Sequence, residues 1–414
     1  MQVTNLKLNY SNLDNKPRII IHCQYVYGIG HFVRAVELAR FLIKSFNVFL
    51  LNGGEPIMNY TVPDEVFYFQ MPSIYKDENS NQLIPVDSSL ELKKCFVMRS
   101  AIIEQLVDEI CPDILITEHF PFGLLFETEV IKLIKQIKRN NPNSKIVSSV
   151  RDVIESENGS EKDAFICALL NKWYDAVLVH SDELIIPFKA SFPMTDQIKV
   201  PLHHTGYVVQ RISPSKLENG LPILLVSIGG GRMGNELLYA MIDAHKLINS
   251  HWPHKLVLFI GAFQRDDQML QSVVNKNNMI NIMLLPFDKD AYLQNLAKAS
   301  AVVCMGGYNS VLEALSTGVP VLIYNRKFLG NNKEQELRSA IFQKLCLVDS
   351  FGEEDLAQEK LAHKIIDIIK SINDIYKKNF FLFQINNAKN RTKKLIEPIF
   401  LYFSKLESFG FKSV

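Results

Sequence analysis

The stretch RIIIHCQYVYGIGHFVRAVELARFLIKSFNVFLLNGG, residues 18–54, decides the architecture. A β-branched run at 18–24 stops at the glycine turn GIGH (28–31). Val36, Ala39, Leu42 and Ile43 then recur at helical spacing, and NVFLL (47–51) is a second short apolar run before Gly53 and Gly54. Strand, glycine turn, helix and strand in that order make a βαβ unit, whose strands run parallel and need cover on both faces. Apolar runs at 113–117, 145–150 and 176–179 continue the rhythm, and the pattern breaks at RISPSKLENGLP (211–222), a Pro-, Gly- and Ser-containing stretch suited to joining domains. It then restarts: ILLVSIGGG (223–231), LVLFIG (256–261), INIMLL (280–285), AVVCMGG (301–307) and VPVLIYN (319–325) read as a second sheet. The expectation is an α/β chain of two halves, each opening with strand, glycine turn and helix.

At 414 residues the chain exceeds what one core organises, in keeping with two domains. The expected division is a polar extension at 1–17, an N-terminal domain at 18–212, a C-terminal domain at 213–373 and a helical, aromatic segment at 374–414. Lys and Arg number 45 against 44 Asp and Glu, so no basic field exists to gather nucleic acid. Six cysteines without a CxxC pair suggest neither a zinc site nor a disulfide framework, only reduced cytoplasmic thiols. No apolar run reaches the ~18 to 20 residues that span a bilayer, so a cytoplasmic protein is expected. Two segments stay ambiguous. YKDENSNQLIPVDSS, within residues 71–94, is either an acceptor-side loop or an insertion without function. The tail with KKNFFLFQINNAKNRTKKLIEPIFLYF either packs back across the N-terminal domain or touches a membrane surface as a peripheral contact.

Three glycine turns carry candidate chemistry. GIGH, with Gly28 and Gly30, puts His31 at a helix start, and Val33 at the third glycine position argues against a dinucleotide fingerprint. GGGRMG (Gly229, Gly230, Gly231, Arg232) offers backbone N–H groups to a diphosphate but lacks the Lys-Ser/Thr ending of a P-loop. GGYNS (Gly306, Gly307, Asn309, Ser310) opens a third helix start, with Glu313 at capping-box distance from Ser310. Glu313 either caps or accepts both hydroxyl protons of a ribose diol. KEQELR (333–338) contributes Gln335 and Arg338, suited to sugar hydroxyls or phosphate, or to a solvated face. Glu118 ends the run ILIT and is either a surface or cap residue or the partner that orients His31. Asp288-Lys289-Asp290 resembles a DxD metal motif, but Asp before a helix reads as an N-cap, so no metal site is expected.

Together with GIGHFVRA, the stretches PDILITEHFPFG (112–123), SVRDV (149–153), WYDAVLVHSD (173–182) and HTGYV (204–208) resemble the MurG-related glycosyltransferases of family 28 type, an uncharacterised bacterial branch. The resemblance runs from about residue 18 to 348. It implies the GT-B fold: two facing Rossmann-like domains with parallel sheets and a C-terminal helix crossing back to the first. It implies transfer of a hexosyl group, GlcNAc-type, from a nucleotide-diphosphate sugar, typically UDP-linked, to an acceptor hydroxyl with inversion. His31 would lie beside the acceptor, GGGRMG would contact the diphosphate, GGYNS with Glu313 would hold phosphate and ribose, and Gln335 the donor sugar. No cofactor beyond the donor co-substrate is implied. The chain departs from MurG at Gly231 and Arg232, where Ser or Thr and a small or polar residue are usual. Its acceptor stays open, lipid-linked or a small molecule. A nucleotide-sugar epimerase or hydrolase on the same scaffold and a noncatalytic nucleotide-sugar-binding subunit are the alternatives.

Overall fold

The computed structural model describes residues 13, 15–77, 80, 82–155, 159–210, 212–215, 220–230, 233–263, 267–276, 281–327 and 333–371. The first half runs β1 (Arg18–Cys23), α1 (Gly30–Leu42), β2 (Asn47–Asn52), β3 (Val66–Gln70), a hairpin of β4 (Ile74–Lys76) and β5 (Leu83–Pro85), α2 (Leu92–Ile110), β6 (Ile114–Glu118), α3 (Glu127–Asn140), β7 (Lys145–Arg151), α4 (Glu161–Trp173), β8 (Ala176–His180) and β9 (Leu202–His204). The second runs β10 (Ile223–Ser227), α5 (Asn235–His251), β11 (Lys255–Phe259), α6 (Asp267–Lys276), β12 (Ile282–Leu285), α7 (Lys289–Lys298), β13 (Ala299–Met305), α8 (Tyr308–Thr317), β14 (Val321–Asn325), α9 (Lys333–Lys344), β15 (Asp349–Gly352) and α10 (Gln358–Ser371).

Seven parallel strands in the order β3-β2-β1-β6-β7-β8-β9 form one sheet, and six in the order β12-β11-β10-β13-β14-β15 form the other. Side chains alternate across each sheet, and both faces are covered. Ile20, Phe49 and Leu51 pack on one side of the first sheet, while Ile19, Ile21, Val48 and Leu50 pack on the other. Leu224 and Val226 divide from Ile223 and Leu225 in the same way. This two-sided burial is why the strands read as continuous apolar runs. The GT-B architecture, two Rossmann-like domains, follows from the pair of sheets.

ILLVSIGGG (223–231) is a strand entering a glycine turn, as read: the strand ends at Ser227, Ile228 stays buried outside the ladder, and the chain turns with Gly229 at φ 74°. Several other segments differ from the sequence reading. Residues 71–94 are not featureless: they hold the β4-β5 hairpin and enter α2 at Leu92. β3, β9 and β15 went unread, the last two because strands of three or four residues draw their order from a paired neighbour rather than their own composition. The helix α10 packs against α5 of its own half. The segment 374–414, and with it the expected crossing helix, lies outside the described residues, as does most of the 1–17 extension. Among the described residues no helix is long and apolar enough to cross a membrane.

The halves meet through buried polar contacts. Arg338 of α9 is fully buried and donates to Asp152 of the first half through Nε (2.7 Å) and Nη2 (2.6 Å), to Glu334 (2.6 Å) and to the Gly306 carbonyl (2.6 Å). Arg151 pairs with Glu334 across the same junction at 2.5 Å. Asn309 donates to the Gly30 carbonyl at 3.0 Å, and the Ile212 amide to Ser316 at 3.2 Å. Removing one member of a buried pair strands the other charge, so Arg338→Met and Asp152→Ala each lose about 3–5 kcal/mol of stability in urea unfolding. The double variant loses clearly less than the sum of the two. Additive losses would show that the two side chains act independently.

Candidate active site

Open α/β sheets gather ligands where the strand order reverses, at the carboxyl ends of the strands. Here the reversals fall between β1 and β6 in one sheet and between β10 and β13 in the other, and the loops after those strands line a single cleft of about 1120 Å³. Strand pairing sets His22 of β1 opposite Thr117 of β6, so the turn after β1 comes to lie beside Glu118.

His31, in the first turn of α1, lines the cleft with its Nδ1 2.9 Å from Glu118 Oε1. Glu118 is 4% exposed, neither a surface residue nor a cap. Its carboxylate also receives Ser149 Oγ at 2.8 Å and an ion pair from Arg34. A carboxylate only accepts, so Nδ1 carries the hydrogen and Nε2 keeps its lone pair. The Nδ1 atom and Arg34 Nη2, 3.2 Å apart, donate into the same carboxylate oxygen. Ser149 gives its proton to Glu118 and accepts from His180 Nε2 at 2.8 Å, which leaves His180 Nδ1 to accept from Thr205 at 2.8 Å. Burial first, then the electrostatic influence of the neighbouring His119 and the positive charges of Arg151 and Arg34, hold the His31 proton affinity well below that of an ordinary histidine. Burial also pushes Arg34 down to about 10, which leaves it charged at neutral pH.

Beside His31 stands His119, its ring centroid 4.8 Å away and its backbone at φ 69°. Burial, then Arg151 and Arg34, keeps it neutral too, and its Nδ1 is buried without a partner among the described residues. The sequence reading passed over His119, although it directly follows Glu118 in the quoted stretch TEHFPFG.

The opposite wall comes from the second half. A side chain at Gly230 would meet Ile29 at 2.0 Å, so glycine there lets the two loops touch. Gly229, Gly230, Gly307, Asn309, Ser310, Glu313 and Gln335 line the cleft. α1, α5 and α8 begin at Gly30, just after Gly234 and just after Gly307, and none has a side-chain cap, whereas Ser160 caps α4 and Asp288 caps α7. The starts of α1 and α8 line the cleft, so their uncapped first-turn N–H groups suit an anionic ligand, whereas the Leu237 amide of α5 turns back to the Gly234 carbonyl at 3.0 Å.

Glu313 does not close a capping box, because Gly307 rather than Ser310 is the N-cap of α8. It is 1% exposed and forms an ion pair with Lys289. Burial raises its proton affinity and Lys289 counters that. Lys289 lies in the DKD stretch whose Asp288 accepts from the Ala291 amide at 2.8 Å. Gln335 keeps a buried Oε1 without a partner among the described residues. Three expected donor residues have other partners. Arg338 and Gly306 sit behind the cleft wall, their polar groups consumed by the junction of the halves. Asn309 directs its amide nitrogen to Gly30. Gly231 and Arg232 lie outside the described residues.

Comparison with known proteins agrees with this arrangement. Residues 224–397 match the glycosyltransferase family 28 C-terminal domain. An uncharacterized glycosyltransferase of Methanosarcina acetivorans is 23% identical over 333 residues, 76% of this chain and 81% of that one. The UDP-N-acetylglucosamine--N-acetylmuramyl-(pentapeptide) pyrophosphoryl-undecaprenol N-acetylglucosamine transferase of Acetivibrio thermocellus is 29% identical over 245 residues, 56% of this chain and 62% of that one. The solved structure of Acinetobacter baumannii MurG, 13% identical, shares the fold with a TM-score of 0.54 over 93% of this chain and 99% of its own. The chain thus has a GT-B fold whose second half matches the glycosyltransferase family 28 C-terminal domain, and its sequence is similar to a MurG-type transferase.

Proposed function

We propose that the chain transfers a hexosyl group, GlcNAc-type, from a UDP-linked diphosphate sugar to an acceptor hydroxyl with inversion and without a catalytic metal. The observation that carries this reading is the His31–Glu118 pair, 2.9 Å apart, on a cleft whose other wall carries the uncapped start of α8. The donor class follows the name of the Acetivibrio relative.

In this mechanism His31 Nε2 takes the proton of the acceptor hydroxyl while that oxygen attacks the anomeric carbon. The bond from that carbon to the diphosphate oxygen breaks, and its electron pair leaves with the diphosphate. A single displacement from the opposite face inverts the anomeric centre. Glu118 accepts from Nδ1–H throughout and steadies the imidazolium that forms. The transition state is oxocarbenium-like, and negative charge grows on the departing diphosphate. Amides at the start of α8, beside the Gly229–Gly230 turn, meet that charge as it develops, which supplies the stabilisation a metal would otherwise give. Glu313 accepts the ribose hydroxyls and Gln335 the donor sugar. The acceptor is a lipid-linked sugar or a small molecule.

Three outcomes check this reading. UDP or its sugar raises the melting temperature above GDP and TDP controls, by an amount equal to about 2.7 kcal/mol at a hundredfold excess over Kd. His31→Ala lowers turnover about 10²- to 10⁴-fold, and unchanged turnover removes His31 from the base role. Because the His31 proton affinity is depressed, the base form persists as pH falls, so the acid limb of kcat/KM lies below pH 6.5 rather than at it. Free sugar released without an acceptor would instead mark a hydrolase.

A further inference from the structure

Arg34 and Tyr308 together link the two walls of the cleft. Arg34 rises from α1 three residues after His31, and its guanidinium lies over the Tyr308 ring, 5.4 Å from the centroid. Arg338 lies over the same ring at 5.8 Å. Tyr308 is the first residue of α8, the helix whose start faces the cleft. Its hydroxyl donates to the His180 carbonyl at 2.9 Å and accepts from the Val208 amide at 2.9 Å, both in the first half. Arg34 in turn shares one oxygen of Glu118 with His31.

We propose that Tyr308 is a positioning residue for the base: its ring fixes Arg34 against Glu118 and so ties the orientation of His31 to the seating of the donor helix. The inference rests on the base role given to His31 above. A guanidinium needs a flat partner to hold one orientation while its N–H groups serve a carboxylate, and the Tyr308 face provides it. Without that face Arg34 is free to tilt away from Glu118, and the carboxylate then acts on His31 alone. The hydroxyl ties register α8 on the first half, so the helix start that meets the diphosphate and the side chain that orders the base are one residue apart from each other at most.

The charged and titratable groups that face His31 are Glu118 and His119 at the end of β6, Arg34 on its own helix and Arg151 at the end of β7. Glu334 of α9 holds Arg151, and Lys162 of α4 acts on His119. Only Arg34 touches Tyr308 among these. A loosened Arg34 therefore has a defined sign: less positive charge at the ring and an unshared carboxylate both raise the proton affinity of His31.

The experiment is a histidine-ring NMR titration of the full chain, with the His31 signal assigned by its loss in His31→Gln. The wild-type midpoint lies below pH 6.5. Arg34→Gln raises it by about one unit or more. Tyr308→Phe keeps the ring and leaves the midpoint in place, whereas Tyr308→Leu raises it in the same direction as Arg34→Gln. Tyr308→Met fills the site without a π face, carries the same expectation and serves if the leucine variant does not fold. A midpoint unmoved in the folded leucine or methionine variant overturns the positioning role, as does a phenylalanine variant that shifts as far as they do. Neither result touches the base assignment, which stands or falls separately on the turnover of His31→Ala.

Discussion

A guanidinium cut off from water must be ringed by acceptors, and the Arg338 side chain meets that demand only when the two halves are together. Asp152 comes from one half; Glu334 and the Gly306 carbonyl come from the other. Asp152 follows directly after β7, the strand that carries Ser149 and Arg151, while Gly306 ends the strand leading into α8. The constraint therefore reaches both walls of the cleft: it sets the strand end that supports Glu118 and the turn that opens the opposing helix. Separating the halves would take Asp152 from Arg338 and leave the guanidinium only Glu334 and the Gly306 carbonyl. The junction of the halves thus combines this buried ion pair with apolar packing, Val153 and Ile186 joining the second core and Phe287 the first.

How much of this was legible in the sequence depends on the range of the interaction. The βαβ unit at 18–54 and the restart at 223 were readable because a two-sided sheet imposes continuous apolar runs, and because glycine marks a turn at its own position. Strand ends were less clear, since residues such as Ile228 remain apolar and buried after leaving the ladder. His31 and Glu118 were readable as neighbours because both follow strands that pair in register. Their cation was not. Arg34 reaches Glu118 across 84 positions, Arg338 reaches Asp152 across 186, and no local pattern encodes either. One clue was present: Arg34 stands three residues after His31, on the same helical face. Arg338 was read as a contact to sugar hydroxyls or phosphate, or as part of a solvated face, and its burial against Asp152 of the other half fits neither.

Each wall of the cleft solves the same electrostatic problem in the same way. A carboxylate must stay ionised to orient a histidine or to accept hydroxyl protons, yet it must also be shielded from water to be held still. Burial alone would protonate it. Glu118 meets the conflict through Arg34 and Ser149, and Glu313 meets it through Lys289. In both, a cation pairs with the buried carboxylate while a neighbouring group still lines the cleft. The difference lies in what the cation can do besides. Arg34 is planar, stacked and fully buried, suited to fixing direction. Lys289 is a compact charge on a flexible stem that itself lines the cleft, with two further N–H donors beyond the one given to Glu313. The first half thus holds its carboxylate with a buried, stacked cation, and the second holds its own with a compact one on a flexible stem.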